Sequence, residues 1–412
     1  MKFTYKHTLY ASYLGYITQA IINNLAPLLF LIFKKEFNIS LESIGILISL
    51  NFGIQIVTDL LSAKFVDKIG YRASIVAAHI LCTLGLISMG ILPYLFANAY
   101  VGLVIAIVIN GVGGGLIEVL ISPIVQSLPG DEKASAMSLL HSFYCWGQVL
   151  VVLLTTIYFN VVGTNKWLYI PILWSIIPLF NMFLFLKVPL LTLVEDADKI
   201  PFRKFFTAKR FLLFITLMIC AGASEQAMSQ WASLFAESGL KVSKTMGNLL
   251  GPCAFAILMG VARVFYGIKG SKINMKKALG FSSILCVLSY LLAVFSPIPL
   301  LSLLGCALCG LSVGIMWPGV FSLCTKYYPK GGTAMFAILA LAGDVGCSAG
   351  PGLVGFVSNG VEKATITFSR TWFQSTSITE IGLKTGLLVA IVFPIIMLIS
   401  IIVLRKNSTR IN

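Results

Sequence analysis

Apolar stretches of membrane-crossing length alternate with short polar turns from one end of the chain to the other. They fall at 9–33, 43–62, 73–96, 100–127, 135–160, 167–187, 211–236, 247–268, 277–296, 299–325, 333–357 and 384–404. A crossing helix needs about 20 predominantly apolar residues. The pattern therefore predicts twelve spans and an all-α membrane protein. Turn residues punctuate the connections, as at Pro93 and Asn98, Pro129-Gly130-Asp131 and Ser296-Pro297. The longest charged cytoplasmic stretch, 188–210, runs from Glu195 and Asp196 to Lys209 and Arg210. It divides the chain into a six-span bundle at 1–187, a linker, and a second six-span bundle at 211–412.

Composition agrees with this and excludes a water-soluble enzyme. Of 412 residues, 58% are apolar and 11% charged, against about 25% charged in soluble domains. The net charge of +15 suggests nucleic acid until its placement is read. Twenty-one of the 30 Lys and Arg fall on one side of the spans, with both termini. The positive-inside rule makes that side cytoplasmic. The expected location is the inner (plasma) membrane, multi-pass, with anionic lipid as the partner of the basic loops and no nucleic acid bound. All nine cysteines fall within spans, which argues against a disulfide framework. Cys306 and Cys309 have CxxC spacing but lie in an apolar helix without His, so they predict small-residue packing and no metal. No small-residue cleavage site follows the first apolar run, which reads as a retained first span.

The two halves echo each other. Pro123-Ile-Val-Gln-Ser127-Leu128 in the fourth span matches Pro318-Gly-Val-Phe-Ser322-Leu323 in the tenth, at an offset of 195. Ala136-Met137 and Ala334-Met335 match at an offset of 198 in the fifth and eleventh. Parallel repeats of six spans around a central site are a transporter architecture.

Between the second and third spans stands Ala63-Lys-Phe-Val-Asp67-Lys68-Ile-Gly70-Tyr-Arg72. This loop resembles the motif of the major facilitator superfamily: a small residue, three others, Asp followed by a base, then Gly and further bases. The resemblance covers the whole chain and implies two pseudo-symmetric six-helix bundles that expose a site alternately. Asp67 and Arg72 would then be among the charges that pair at the cytoplasmic face and latch the two halves, with Asp59 in the same gate network. The run Gly111-Val-Gly113-Gly114-Gly115-Leu-Ile-Glu118-Val-Leu-Ile-Ser-Pro123, followed by Leu139-Leu140-His141-Ser142 and Trp146-Gly147, is similar to the fucose permease (fucose–galactose–proton symporter) branch. So is Asn23-Asn24-Leu25. The branch implies that Glu118 binds sugar. This chain departs from it in placing Pro27 where the branch has an acid and His141 where it has Gln.

A charge at mid-membrane costs about 2.5–3.5 kcal/mol on insertion scales, so such residues face the bundle interior or a wet cavity. Asp59, Glu118, Glu225, Asp344 and Arg263 are the candidates. Glu118 lies 12 residues before Gly130 and His141 lies 11 after it. At 1.5 Å rise per residue the two reach equal depth, where they can share a hydrogen bond or a proton. His79 reads as structural. Proton coupling is expected at Glu118, Glu225 or His141. Gln226, Ser229 and Gln230 are spaced i, i+3, i+4 on the seventh span, and Gln19, Asn23 and Asn24 lie on the repeat-related first. Amides both donate and accept, which suits a polyhydroxylated ligand. Trp231, Trp317 and Trp146 are candidate platforms for its apolar face. Arg263 and Asp344 read as a structural pair. The Gly run predicts close helix approach, and Pro252, Pro318 and Pro351 predict bends.

The expected function is proton-coupled uptake of a small polar solute, a sugar or polyol, by a monomer without cofactor or metal; sodium remains open as the coupling ion. The alternative is a proton-driven exporter of drugs or metabolites. Its Gly-x-x-x-Gly-Pro motif belongs in the fifth span, whereas this chain carries Gly346-Cys-Ser-Ala-Gly350-Pro351 in the eleventh. An enzyme is not expected, because no nucleophile–base pair or metal cluster is present in the pattern.

Overall fold

The computed structural model describes residues 3–129, 133–191, 208–269, 273–328, 332–364 and 378–406. Among them twelve helical spans are long and apolar enough to cross a bilayer. They are Tyr5–Glu36, Leu41–Ser62, Tyr71–Leu95, Ala99–Val125, Leu139–Val162, Tyr169–Lys187, Lys209–Gly239, Lys244–Lys269, Met275–Phe295, Pro299–Tyr327, Ala337–Ala364 and Ile378–Leu404. The protein is all-helical. Large apolar side chains stay exposed along these helices, as at Phe356, Phe281 and Leu84. Lipid takes the place of a covering layer, since a helix satisfies its own backbone along the span.

The chain forms two compact units. One comprises Met1–Ser40 and Leu50–Val194, the other Leu41–Ser49 and Glu195–Asn412. The expected linker at 188–210 lies mostly outside the described residues.

In the first unit the third and fourth spans pack as a hairpin, and the first span packs on the fourth and fifth. Gly111 and Gly115 admit the second span: a Cβ at Gly111 would stand 2.9 Å from Ile54 Cβ, and one at Gly115 2.9 Å from Thr58 Cβ. The expected close approach is therefore present, driven by small residues rather than by hydrophobic transfer. Pro27 sits in a 3-10 turn, Ala26–Leu29, that interrupts the first span. Beyond it Glu36 accepts from Tyr94 Oη (2.6 Å) and Trp167 Nε1 (2.8 Å), tying three elements at one end of the unit. His79 is fully buried. Its Nδ1 lies 2.8 Å from Ile75 O and its Nε2 2.8 Å from Asn181 Nδ2. The amide donates to Nε2, so the proton belongs on Nδ1 and the ring is structural.

In the second unit the seventh span packs along the eleventh. Gly346 and Gly350 bring the eleventh against the seventh, where a Cβ would stand 2.0 Å from Ile219 O and 2.5 Å from Ala223 O. The Gly-x-x-x-Gly-Pro motif is thus a helix-packing device here. Of the three expected proline bends, Pro252 sits in a π-turn, Leu249–Cys253. Pro318 follows a break between Val313 and Met316. Pro351 lies in a continuous helix, Gly332–Ala364, and makes no break there. The first residues of the second span belong to this unit: Ser49 Oγ donates to Ser348 O and Ser348 Oγ to Ser49 O, both at 3.0 Å, and Asn359 Nδ2 donates to Glu42 at 2.7 Å. The twelfth span starts at Ile378, six residues before the expected start at Lys384. Lys384 is buried within it, bound at 2.9 Å to Glu380 one turn earlier. A base that neutralises its own i−4 carboxylate can sit inside a span that a charge count would stop short of. All nine cysteines are free and buried, with Cys286 Sγ 3.9 Å from Cys309 Sγ.

Candidate functional site

Among the described residues, each unit carries a cluster of amides around a carboxylate within its spans. In the first, Gln19 Nε2 donates to Gln55 Oε1 (2.8 Å) and to Glu118 Oε2 (3.2 Å). Gln55 Nε2 and Asn51 Nδ2 both donate to Asn23 Oδ1 at 3.0 Å. Three helices contribute: Gln19 and Asn23 share a face of the first span at i, i+4, Asn51 and Gln55 do the same on the second, and Glu118 comes from the fourth. The glycines above make room for it, since Gln19 Oε1 lies 3.2 Å from where a Cβ of Gly114 would be. Asn24 turns aside to Ala20 O (2.9 Å) and Tyr144 Oη (3.2 Å).

Glu118 and His141 each have a neighbour on the first span. The carboxylate is held from the first span by Gln19, and His141 is exposed with its ring edge-on to Tyr16, centroids 5.2 Å apart. Equal depth does not imply the same azimuth: each residue turns the side chain by about 100° around the helix at 3.6 residues per turn.

In the second unit a buried ion pair joins the seventh and eighth spans, with Arg263 Nη2 3.2 Å from Glu225 Oε2. Arg263 Nε also donates to Gly314 O of the tenth span at 3.3 Å. Amides extend the cluster: Gln226 Nε2 donates to Glu225 Oε1 (3.3 Å) and Gln230 Nε2 to Gln226 Oε1 (3.0 Å). Arg263, which the sequence pairs with Asp344, thus holds Glu225. Asp344 is itself buried in the eleventh span. Ser229 is buried beside the amides.

Trp231 is corrected from platform to core. Its ring is wholly buried, and its Nε1 donates to Pro351 O at 3.0 Å. Trp317 is half-buried, and its ring fills the space over Gly343, where a Cβ would clash at 2.2 Å. Trp146 is exposed. Arg72, expected at the gate, lies beside the sixth span. Its guanidinium caps the end of the sixth span, donating to Phe185 O (2.7 Å), Leu186 O (2.9 Å) and Val188 O (2.8 Å). These are the orphan carbonyls of a helix C-terminus, where a cation is favoured. The side chain of its expected partner Asp67 lies outside the described residues. Asp59 lies one turn beyond Gln55 on the second span, and its carbonyl accepts from Ser62 Oγ at 2.9 Å.

Asn51, Gln55 and Tyr144 belong to the first cluster and were not singled out from sequence. The spacing Asn51, Gln55, Asp59 at i, i+4, i+8 in an apolar helix is the signal that marks them. A cavity of about 430 Å³ lies elsewhere, lined by Val242, Met246, Leu250, Ile298 and Leu303. It is apolar and holds none of the polar cluster residues.

The family model of the Major Facilitator Superfamily matches residues 12–351. The chain belongs to that superfamily. It is a multi-pass membrane transporter. Solved structures similar in fold include a bacterial homolog of the human lysosomal transporter Spinster, with TM-score 0.73 and 14% identity over 97% of each chain. The nucleoside transporter NupG matches with TM-score 0.70 and 14% identity, over 97% of this chain and 98% of its own. A D-xylose-proton symporter matches with TM-score 0.69 and 16% identity, over 94% and 95%. At these identities the likeness is one of fold. No curated protein matches the sequence.

Proposed function

We propose that this superfamily member takes up a small hydroxyl-rich solute, a sugar or polyol, with protons by alternating access. The observation that carries the reading is the make-up of the two clusters. Each sets one carboxylate, Glu118 or Glu225, among uncharged amides inside an apolar span. Amides grip hydroxyl groups in both directions, and a carboxylate held in a span is a natural proton carrier. The fucose permease-like residues around Glu118 support the same reading. So do two structural neighbours whose solutes, D-xylose and nucleosides, carry several hydroxyls. A single proton suffices: one charge crossing 100 mV carries about 2.3 kcal/mol, or about 50-fold accumulation. The basic loops support a reading in which both termini are cytoplasmic and the protein is a monomer of the plasma membrane. Export is disfavoured because the Gly-x-x-x-Gly-Pro motif packs the seventh and eleventh spans together.

Reconstituted vesicles carrying a pH dye test this. Addition of neutral sugars and polyols in turn is expected to give uptake of one of them with acidification of the lumen. Uptake without a pH change would overturn proton coupling, and proton-driven efflux without uptake would overturn import.

A further inference from the structure

The apolar cavity of the second unit lies where the eighth and tenth spans begin, at the end of the bundle away from the basic loops. One wall is Val242, Met246 and Leu250, spaced i, i+4, i+8 along the start of the eighth span. The other is Ile298 and Leu300 at the start of the tenth, with buried Leu303 beneath. Its volume of about 430 Å³ falls within the range of small-ligand sites, about 300–1,000 Å³. Ser243 also lines it, but its Oγ is turned to its own helix and accepts from Met246 N at 3.3 Å. The other described walls are apolar, so a hydroxylated solute has nothing there to orient it. Met246, Ile298 and Leu300 are about half exposed and form the open edge. At the rim the chain turns from the seventh span to the eighth through Lys241, φ 55, an exposed base that makes no ion pair among the described residues. Lys244 beside it is neutralised by Glu237 at 2.9 Å. The turn at 240–243 thus carries one unbalanced positive charge.

We propose that this groove holds one acyl chain of an anionic phospholipid whose phosphate meets Lys241. The site is separate from both polar clusters and goes beyond the transport reading. What selects this occupant is the match of charge and depth. A spare cation stands at the mouth of an apolar slot that opens along half-exposed apolar side chains, and a phospholipid carries its phosphate and chain in the same order. An empty slot deprives its lining atoms of packing partners, and a chain restores them. Elsewhere on the spans a lipid tail gains nothing over its neighbours, since bilayer hydrocarbon is as apolar as the helices. Here the headgroup adds a preference of about fivefold, the worth of one basic residue near anionic lipid. The chain also touches Leu250, which sits in the π-turn Leu249–Cys253 ahead of the helix Ala254–Lys269. It therefore joins the eighth span to the tenth at the turn where the eighth departs from α-helical winding.

The test is photolabelling of the full-length protein in phosphatidylcholine nanodiscs. The probes are a phosphatidylglycerol and a phosphatidylcholine, each carrying a diazirine midway along one acyl chain and added in trace amount, with labelled residues mapped by mass spectrometry. The phosphatidylglycerol probe is expected to label residues 242–250 and 298–303 about fivefold more than the phosphatidylcholine probe. Met246→Trp, whose indole fills the groove, is expected to lower that labelling at least tenfold. Leu300→Trp replaces it should that variant fail to fold. Lys241→Asn, a residue that left-handed backbone accepts, is expected to level the two probes. Excess glycerol 1-phosphate is expected to leave the labelling in place, because a headgroup alone has no chain to seat. Labelling spread evenly over the lipid-facing spans overturns the proposal, as does equal labelling by the two probes in the parent. Undiminished labelling in the Trp variant, or displacement by glycerol 1-phosphate, overturns it as well. A dimer that forms in detergent and is lost in Met246→Trp makes a second copy the occupant, and the lipid proposal falls.

Discussion

The first unit's cluster holds Glu118 through the Gln19 amide, whereas the second unit's cluster holds Glu225 with a guanidinium. The two carboxylates occupy comparable settings, each inside an apolar span and each bonded to a glutamine. They differ in charge balance. Glu225 and Arg263 neutralise each other, and Gly314 O takes a further guanidinium hydrogen. In the first cluster the carboxylate's bond comes from a neutral amide, Gln19, and two carbonyl oxygens stay open. A balanced pair resists being taken apart, since losing one partner strands the other charge. An amide-held carboxylate can gain and lose a proton with only hydrogen bonds to rearrange. The contrast is the ground for proposing a structural role for Arg263 and proton traffic for Glu118.

Four measurements break or sharpen this contrast. The largest expected effect is that of Arg263→Ala, which strands Glu225 and should destabilise the protein by about 3–5 kcal/mol. Thermal unfolding in detergent checks it, and adding Glu225→Gln should restore much of the loss. If the single variant is as stable as the parent, the pair is not structural. Next, Glu118→Gln should cut sugar-driven lumenal acidification at least tenfold, a change of about 1.4 kcal/mol in coupling, while the protein stays folded. Acidification at the parental rate would move proton carriage to another residue. Trp231→Phe keeps the packing and removes the bond to Pro351 O, for an expected loss of about 1 kcal/mol. An unchanged unfolding midpoint, paired with weakened sugar binding, would return Trp231 to the role of platform. Smallest is His141→Gln, an exposed position with its ring edge-on to Tyr16. It should shift stability by less than about 0.5 kcal/mol and leave the pH profile of uptake in place. A displaced profile would revive the Glu118–His141 pairing.

Much of the fold was legible because bilayer thickness imposes a length on every apolar run. The spans agree with the apolar pattern within a few residues, apart from the end of the eleventh, at Ala364 rather than 357, and the start of the last. There Lys384 reads as a flank, yet it lies within the helix because Glu380, one turn away, satisfies it. The cluster residues were only partly legible. Glu118, Glu225, Gln19 and Gln226 stand out as polar groups in apolar helices. Their partners do not, because Asn51 and Gln55 look like isolated amides until the second span is rotated against the first. Depth could be counted along the helices, and by depth His141 and Glu118 were matched. Facing direction could not, and the structure turns them to different neighbours. Trp231 and Trp317 show the same difficulty, since an indole in an apolar helix reads alike whether it stacks on a ligand or fills the gap over a glycine.

Sequence alone determined the twelve spans and the few charges inside them, because water-to-lipid transfer penalises each misplaced polar group heavily. Tertiary packing alone decided which side chains meet: Arg263 with Glu225, Gln19 with Gln55 and Glu118, Arg72 with the end of the sixth span. Rotation of each helix about its axis is fixed by small residues and shape at the interfaces between helices, and lipid solvation is indifferent to it.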